Sequence, residues 1–471
     1  MKSDRSRFVL ALPVLAALFA VAALTVWLVR PLREAIAERL PGADQPPGSE
    51  GAALNPILAG QLIQGTARAT NLPGLWPQFR GPNRDGISPE TTPLARSWEP
   101  AGPRLLWSVS CGEGYAGVVV RDGRVYLMDY DHDQTNNALR CLSLADGGEI
   151  WRYTYKLTVK RNHGMTRTVP ALAGQFVVAM DPKCHVLCLD ATNGELRWSM
   201  NLVSDYGATV PPWYAGQCPL IDGDAVILAS GGHDALLAAV DLATGKPLWR
   251  APNPRGWKMT HSSVMPMEFA GQRFYVYCGS GGVAGISAKD GAVLWETNSW
   301  KISIATVPSP LVLEDGKIFL SGGYNAGSML LQLRDEGGKL VPETVWKLPA
   351  EVFGATQQTP IYHDGHIYGT RPDGKFVCLG LDGKVVWASP AVDNFGRSPF
   401  LLGNGLFFVM NEEGNLSLME DSASQFKLLA QAQVLTNGEA WGPMSLVGGR
   451  LLARDLKRLV CLDVSAASQP K

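Results

Sequence analysis

Charge of one sign is what this sequence most plainly lacks. Its 471 residues carry 42 Lys and Arg against 43 Asp and Glu, a net charge of −1. No field of one sign exists to hold nucleic acid or to draw in acidic substrates. Cysteine is sparse: eight residues, no two adjacent, none before Cys111. No Cys therefore follows the apolar N-terminal segment to carry a lipid. Enzyme signatures are missing too. The run "GSGGVAG" (279–285) resembles a phosphate loop, but no helix is expected after it, so the helix N-terminus that would hold a phosphate is absent. "SGGYNAG" is its repeat equivalent and is set aside for the same reason.

Apolar residues are plentiful. Phe8–Val29 is 22 residues without a charge, and roughly 20 suffice to cross a bilayer. Lys2, Arg5 and Arg7 precede it, which favours an N-in orientation. The run is longer than the apolar part of a signal peptide, and Arg30-Pro31 follows where small residues would mark a cleavage site. The expected organisation is a cytoplasmic tail (1–7), an uncleaved transmembrane anchor (8–29), a juxtamembrane segment and linker (30–75) and a folded domain (76–471). The Pro- and Gly-rich stretch from Pro41 to about Asn71 reads as a flexible tether. This places the chain as a single-pass protein of the inner membrane, its folded part on the periplasmic side.

Gly (51), Pro (32) and Trp (14) suit an all-β chain with many turns. Two signals alternate along it. One is Gly four residues before Trp, as in "ATNGELRW", with the Trp at 151, 198, 249, 295 and 387. The other is a tight turn between β-branched or aromatic runs: Asp122-Gly123, Ala173-Gly174, Asp222-Gly223, Ala270-Gly271, Asp315-Gly316, Asp364-Gly365, Asn404-Gly405 and Gly448-Gly449. Successive turns are 51, 49, 48, 45, 49, 40 and 44 residues apart. Each period reads as strands a, b, c and d, the composition of a β-propeller blade. The eighth period lacks a strand d, while "PRLLWSV", ending just past Trp107, stands unpaired upstream of the first. That strand closing the eighth blade would satisfy both edges, giving eight blades over Trp107–Val464.

A Trp of this size buries roughly 150–250 Å², so Trp107, Trp151, Trp198, Trp249, Trp295, Trp346 and Trp387 are expected to wedge between blades. Blade five carries an insertion before Trp346. Blade seven has no Trp, and Phe426 or Leu428 is expected to substitute. Cys141, Cys188, Cys378 and Cys461 share one position of strand c, and Cys278 ends a strand b, so these five read as small core residues. Cys111, Cys184 and Cys218 are left over, and an extracytoplasmic location would permit one disulfide among them.

The blades "CLDATNGELRW" and "AAVDLATGKPLW" resemble the pyrroloquinoline quinone (PQQ) repeat family. The resemblance covers about three-quarters of the chain and implies an eight-bladed propeller. It occurs in quinoprotein alcohol dehydrogenases and in the non-enzymatic lipoprotein of the outer-membrane β-barrel assembly machinery. "WPQFRGPNRDGIS" (Trp76–Ser88) also looks like the lead-in of many bacterial members. The dehydrogenases imply adjacent cysteines in a disulfide, a calcium ion on carboxylate and amide ligands, and a catalytic Asp. This chain has no adjacent cysteines and no room for long blade insertions. No cofactor is expected, with PQQ and calcium as the alternative.

Function on a rigid scaffold sits on varied loops, and here those are the d–a connections. Arg161, His163, Trp213, Gln217, Trp257, Lys258, His261, Trp300 and Lys301 fall in or beside them. Cations among Trp faces suit a flat anionic ligand; the plain alternative is capping Trp and solvated charges. A metal site at Cys184 and His185 with His163 or Cys218 matches no known ligand spacing. The expectation is a monomeric binding platform for an envelope protein partner or ligand, with a quinone-dependent or other redox enzyme as the alternative.

Overall fold

The structure, a computed structural model, describes residues 55–468 apart from Pro100 and Ser398, together with seven helical residues between Ala17 and Thr25. The rest of Phe8–Val29 lies outside the described residues, and among those described no helix is long and apolar enough to cross a membrane. The chain divides into two compact units, Met1–Asp44 and Gln45–Lys471, and the second carries every sheet described.

Eight sheets follow one another, each with four antiparallel blade strands in the order a-b-c-d. Blade two is typical: Ala171–Ala173, Phe176–Met180, His185–Asp190 and Leu196–Asn201. Strands a lie against one another between blades one and two, two and three, four and five, and eight and one, which puts strand a on the inner side of the ring. Blade eight is completed by Arg104–Ser110, which pairs with Arg458–Asp463, so the ring closes with the first strand of the repeat region. In blade five the insertion lengthens strands c and d to ten residues each, Gly327–Glu336 and Lys339–Leu348.

Six of the eight a–b turns have φ above zero at both residues named from sequence, as a type I′ turn demands. In blades two and three the turn moves one residue along. Ala173 pairs with Phe176 and Asp222 with Ala225, so Gly174 and Gly223 stand first in the turn. Only the glycine then takes positive φ, the II′ arrangement.

The repeated Gly and Trp prove to be two halves of one contact between blades. Trp151 of blade one lies on Gly194 of blade two, where a Cβ would stand 2.7 Å from the indole ring. Its Nε1 donates to Thr192 O at 3.2 Å. Trp107, Trp198, Trp249, Trp346 and Trp387 likewise donate to a main-chain carbonyl of the next blade. Trp295 faces the lengthened hairpin of blade five, and its buried Nε1 has no partner among the described residues. Opposite each Trp on strand c stands Cys141, Cys188, Ala239, Gly285, Leu330, Cys378 or Cys461, and a bulge follows in every blade. In blade seven this position belongs to Ala430, opposite Leu418, not to Phe426 or Leu428. Phe426 instead packs on Trp387 of blade six.

All eight cysteines are free thiols, so no disulfide joins Cys111, Cys184 and Cys218. From Asn55 onward the stretch read as tether is packed on the blades. Ile57 is buried with its carbonyl held by Tyr153 Oη, and Gln61–Gln64 adds a fifth strand outside blade one.

Candidate functional site

The lead-in Trp76–Ser88 had no role assigned from sequence; in the structure it plugs the channel. Leu75–Trp76 pairs with strand a of blade one, and Ile87–Ser88 runs parallel to strand a of blade seven. Between them the chain folds on itself, with positive φ at Arg80, Gly81, Arg84 and Gly86. Pro77 O accepts from Leu172 N of blade two, and Arg84 Nη1 donates to Pro219 O of blade three. Arg80 donates to Thr359 O and Pro360 O leading into blade six. Gly86 O accepts from Leu402 N of blade seven, and Ser88 Oγ donates to Leu446 O of blade eight. Six of eight blades are thus tied to one strap. Both guanidinium groups are buried, and burial pushes each pKa down to about 10, with Asp85 partly offsetting this for Arg80.

The plug turns the d–a side of the channel into a blind funnel of about 300 Å³ with Phe79 in its lining. Every d–a connection supplies a lining residue: Tyr115, Arg167, Trp213, His261, Ala305, Gln358, Arg397 and Trp441, in chain order. Tyr115 and Trp441 pack with ring centroids 5.1 Å apart, and Tyr115 Oη donates to Glu439. Arg167 is fixed by donating to Trp213 O and, at 3.1 Å, to Asn162 O. Burial brings its pKa down to about 10, which leaves it charged at neutral pH. His261 is pushed down to about 4 by burial and then by Arg167, so it is neutral at pH 7.

Of the residues chosen from sequence, His163, Trp213 and His261 meet in the funnel. Lys301 and Trp257 line a separate polar depression of about 620 Å³ beside the Arg255–Glu296 ion pair. Trp257 is nearly all core, at 8% exposure. Two choices are corrected outright. Gln217 is buried because its amide donates to Ala229 O and accepts from Ala229 N within blade three. Trp300 is buried in the core between blades four and five. Arg161 stands at the rim in a two-toothed ion pair with Glu113, at 2.8 and 3.1 Å, and Lys258 is exposed outside both cavities. The Cys184–His185 stretch holds no metal ligand set: Cys184 Sγ packs 3.8 Å from Met259 Sδ, and His185 Nδ1 bonds Asp181 at 2.8 Å. Among the described residues no three His, Cys, Asp or Glu converge as metal ligands.

Sequence reasoning missed Arg167, Tyr115, Arg397, Trp441 and the floor residue Phe79. One signal was present. "MTRTVP", "AGQCPL", "HSSVMP" and "WGPMSL" occupy equivalent places just before strand a, so aligning these loop ends would have drawn Arg167 and Trp441 into the set.

Residues 135–389 match the family model described as outer membrane protein assembly factor BamB. Among solved structures, BamB from Moraxella catarrhalis superposes with a TM-score of 0.53 at 14% identity, over 77% of this chain and all of that one. A quinohemoprotein alcohol dehydrogenase from Pseudomonas putida HK5 gives 0.46 at 12% identity, over 85% of this chain and 82% of that one. The serine/threonine-protein kinase AfsK of Streptomyces griseus is 28% identical over 190 residues, 39% of this chain, and the match spans only 21% of that kinase.

Proposed function

The chain belongs to the family described as outer membrane protein assembly factor BamB, and from that premise we propose that it is a binding platform in the cell envelope. Its d–a face presents the funnel to a protein partner or ligand, and Phe8–Val29 anchors it in the inner membrane with the propeller outside the cytoplasm. One observation carries the reading: all eight d–a connections converge on a single walled cavity, whereas the a–b turns opposite are uniformly short. Function concentrates on such loops when a rigid frame holds them.

A quinone-dependent dehydrogenase is the second reading, favoured by the cationic and aromatic lining. The calcium ion that accompanies PQQ in the resemblance takes six to eight oxygen ligands, carboxylates prominent among them. Among the described residues no Asp or Glu lines the funnel, and no two cysteines are adjacent in the sequence, so the residues present do not fit that group.

Photo-crosslinking side chains placed at Trp213 and, as control, at the a–b turn residue Asn404 test the platform on the full chain in membranes. A partner captured from Trp213 but not from Asn404 supports it; equal capture or none removes it. Dye reduction with alcohols after addition of PQQ and calcium would move the function to redox chemistry. The anchor falls if the mature chain has lost roughly 30 residues by mass, the length of a removed signal.

A further inference from the structure

Resting on the reading of the d–a face as a binding surface, we infer that the plugged funnel takes a carboxylate carried beside a flat apolar ring. Its wall holds Arg167 and Arg397 with His163 and His261, and among the described residues no acidic side chain lines it, Glu439 instead accepting from the hydroxyl of the lining Tyr115. Arg167 is already held by two carbonyl oxygens, so little side-chain freedom is lost when an anion arrives. The two strap guanidiniums, Arg80 and Arg84, are buried within the plug and do not line the funnel. Their hydrogen bonds go to main-chain carbonyls and the Gln78 amide oxygen, and none goes to a carboxylate. Asp85 offsets part of the charge on Arg80, which leaves Arg84 as the strap charge that, buried in low dielectric, acts at longer range than the same charge in water.

An unspent donor points the same way. The buried Nε1 of Trp441, a residue of the funnel wall, has no partner among the described residues. A buried donor left unpaired is costly, and one in the wall favours an acceptor there. Ring-shaped apolar surface supplies the rest: Phe79 at the floor, and Trp213 and the Tyr115–Trp441 pair in the wall. At about 300 Å³, the cavity is at the small end of ligand sites. It has room for one substituted ring. That chemistry has two sources, a free aromatic acid and the C-terminal carboxylate of a chain ending in an aromatic residue.

The test uses the full chain in non-ionic detergent, with tryptophan fluorescence and calorimetry as readouts. Trimesate (benzene-1,3,5-tricarboxylate) is the free acid, and benzyltrimethylammonium is a ring of opposite charge. Paired peptides end in Phe with a free or an amidated C-terminus. The expected result is binding by trimesate, the free-terminus peptide or both, at least about tenfold tighter than by the cation and the amidated peptide, a difference of about 1.4 kcal/mol. The tighter of the two anions identifies the source. Arg167→Gln and Arg397→Gln should each weaken it by about tenfold or more, while Arg161→Gln at the rim leaves it unchanged. Arg397 makes the second variant because Arg167 also braces its loop, and melting curves check both. Binding blind to charge, or by neither anion, overturns the inference. Crosslinking from Trp213 that persists alongside such a failure would leave the platform standing; loss of both would remove both.

Discussion

At the scale of single residues, the unit of this fold is a Trp in one blade read together with a Gly in the next. The glycine is required twice over at Gly194, where φ is +82° and a Cβ would meet the Trp151 ring at 2.7 Å. Gly194→Ala should therefore cost about 1–3 kcal/mol, the range of overpacking, read from the urea midpoint. Indole hydrogen bonding separates two Trp that look alike in sequence. Trp198 Nε1 donates to Leu242 O at 2.8 Å, whereas Trp295 Nε1 has no partner among the described residues. Trp198→Phe leaves Leu242 O with only the weak donor Cys188 Sγ, at 3.8 Å, and should cost about 1–3 kcal/mol more than Trp295→Phe in the same denaturation experiment. Equal costs would mean that only ring volume matters. Titration behaviour is also residue-level. His261 holds its proton less tightly when folded, at about 4, than in the unfolded chain, so the unfolded state binds the extra proton between about 6.5 and 4. Stability is therefore lost as pH falls through that window. Burial works against charge on His185, yet Asp181 raises its pKa overall, so its contribution is present at low pH and is lost as pH rises. His261→Asn should flatten the fall in urea midpoint between pH 7 and pH 5; an unchanged slope would assign that fall to other groups.

At the scale of elements, the strap decides what the channel is, and its two arginines differ in how well they are satisfied. Arg80 donates to four main-chain oxygens, two of them in its own turn and two leading into blade six. Arg84 has only a 3.2 Å bond to Pro219 O and a marginal one to Gln78. Arg80→Met strands several buried acceptors and should cost on the order of 3 kcal/mol or more. Arg84→Met replaces a poorly paired buried charge by an apolar chain and should change stability by about 1 kcal/mol or less, in either direction. Thermal melts compare the two, and the reverse order would show that the Pro219 bond is the main anchor. The same contrast explains what was legible in the sequence. The turns, the blade Trp and the missing eighth strand were readable because each depends on residues close together in the chain. Asp122-Gly123 carries its own conformational requirement, and so needs no distant partner to be recognised. The strap depends on carbonyl oxygens of residues 219, 359, 360 and 446. Every residue has a carbonyl, so no side-chain pattern marks those partners. Gln217 misled for a related reason: an amide in a loop reads as a ligand until its hydrogen bonds to Ala229 are seen. Ala430 could not be placed because the bulge before each blade Trp shifts the register by one residue, and without the Trp there was nothing to count from.

At the scale of the whole molecule, residues 55–110 hold the ring at its rim and at its centre. Seven blades take strand d from the residues just after strand c, but the eighth takes it from the far end of the repeat region. Ser108 and Ser199 occupy the same place in their blades, each one residue after the Trp and each paired with the residue preceding the Cys opposite it. Ser108 meets a partner roughly 350 residues away and Ser199 one about 12 away, so the first pairing closes a far longer loop. Proline removes a donor and strains the strand at either site. In blade two the hairpin stays tethered by its own turn, so Ser199→Pro should loosen strand d locally, with amide exchange rising over 196–201 only. In blade eight no turn joins Arg104–Ser110 to Arg458–Asp463, and the bonds that flank the pair, Cys111 N to Lys457 O and Ala95 N to Val464 O among them, also span the far ends of the repeat region, so Ser108→Pro should open the ring. Exchange is then expected to rise in blades one and eight together, with a larger loss of melting temperature and a broader transition. The comparison is strict, since Ser199 Oγ also accepts a bond from Asn55 at 3.1 Å that its proline variant would lose. If Ser199→Pro nonetheless proves the more damaging, the strap and not the closing strand is what holds the eight blades in a ring.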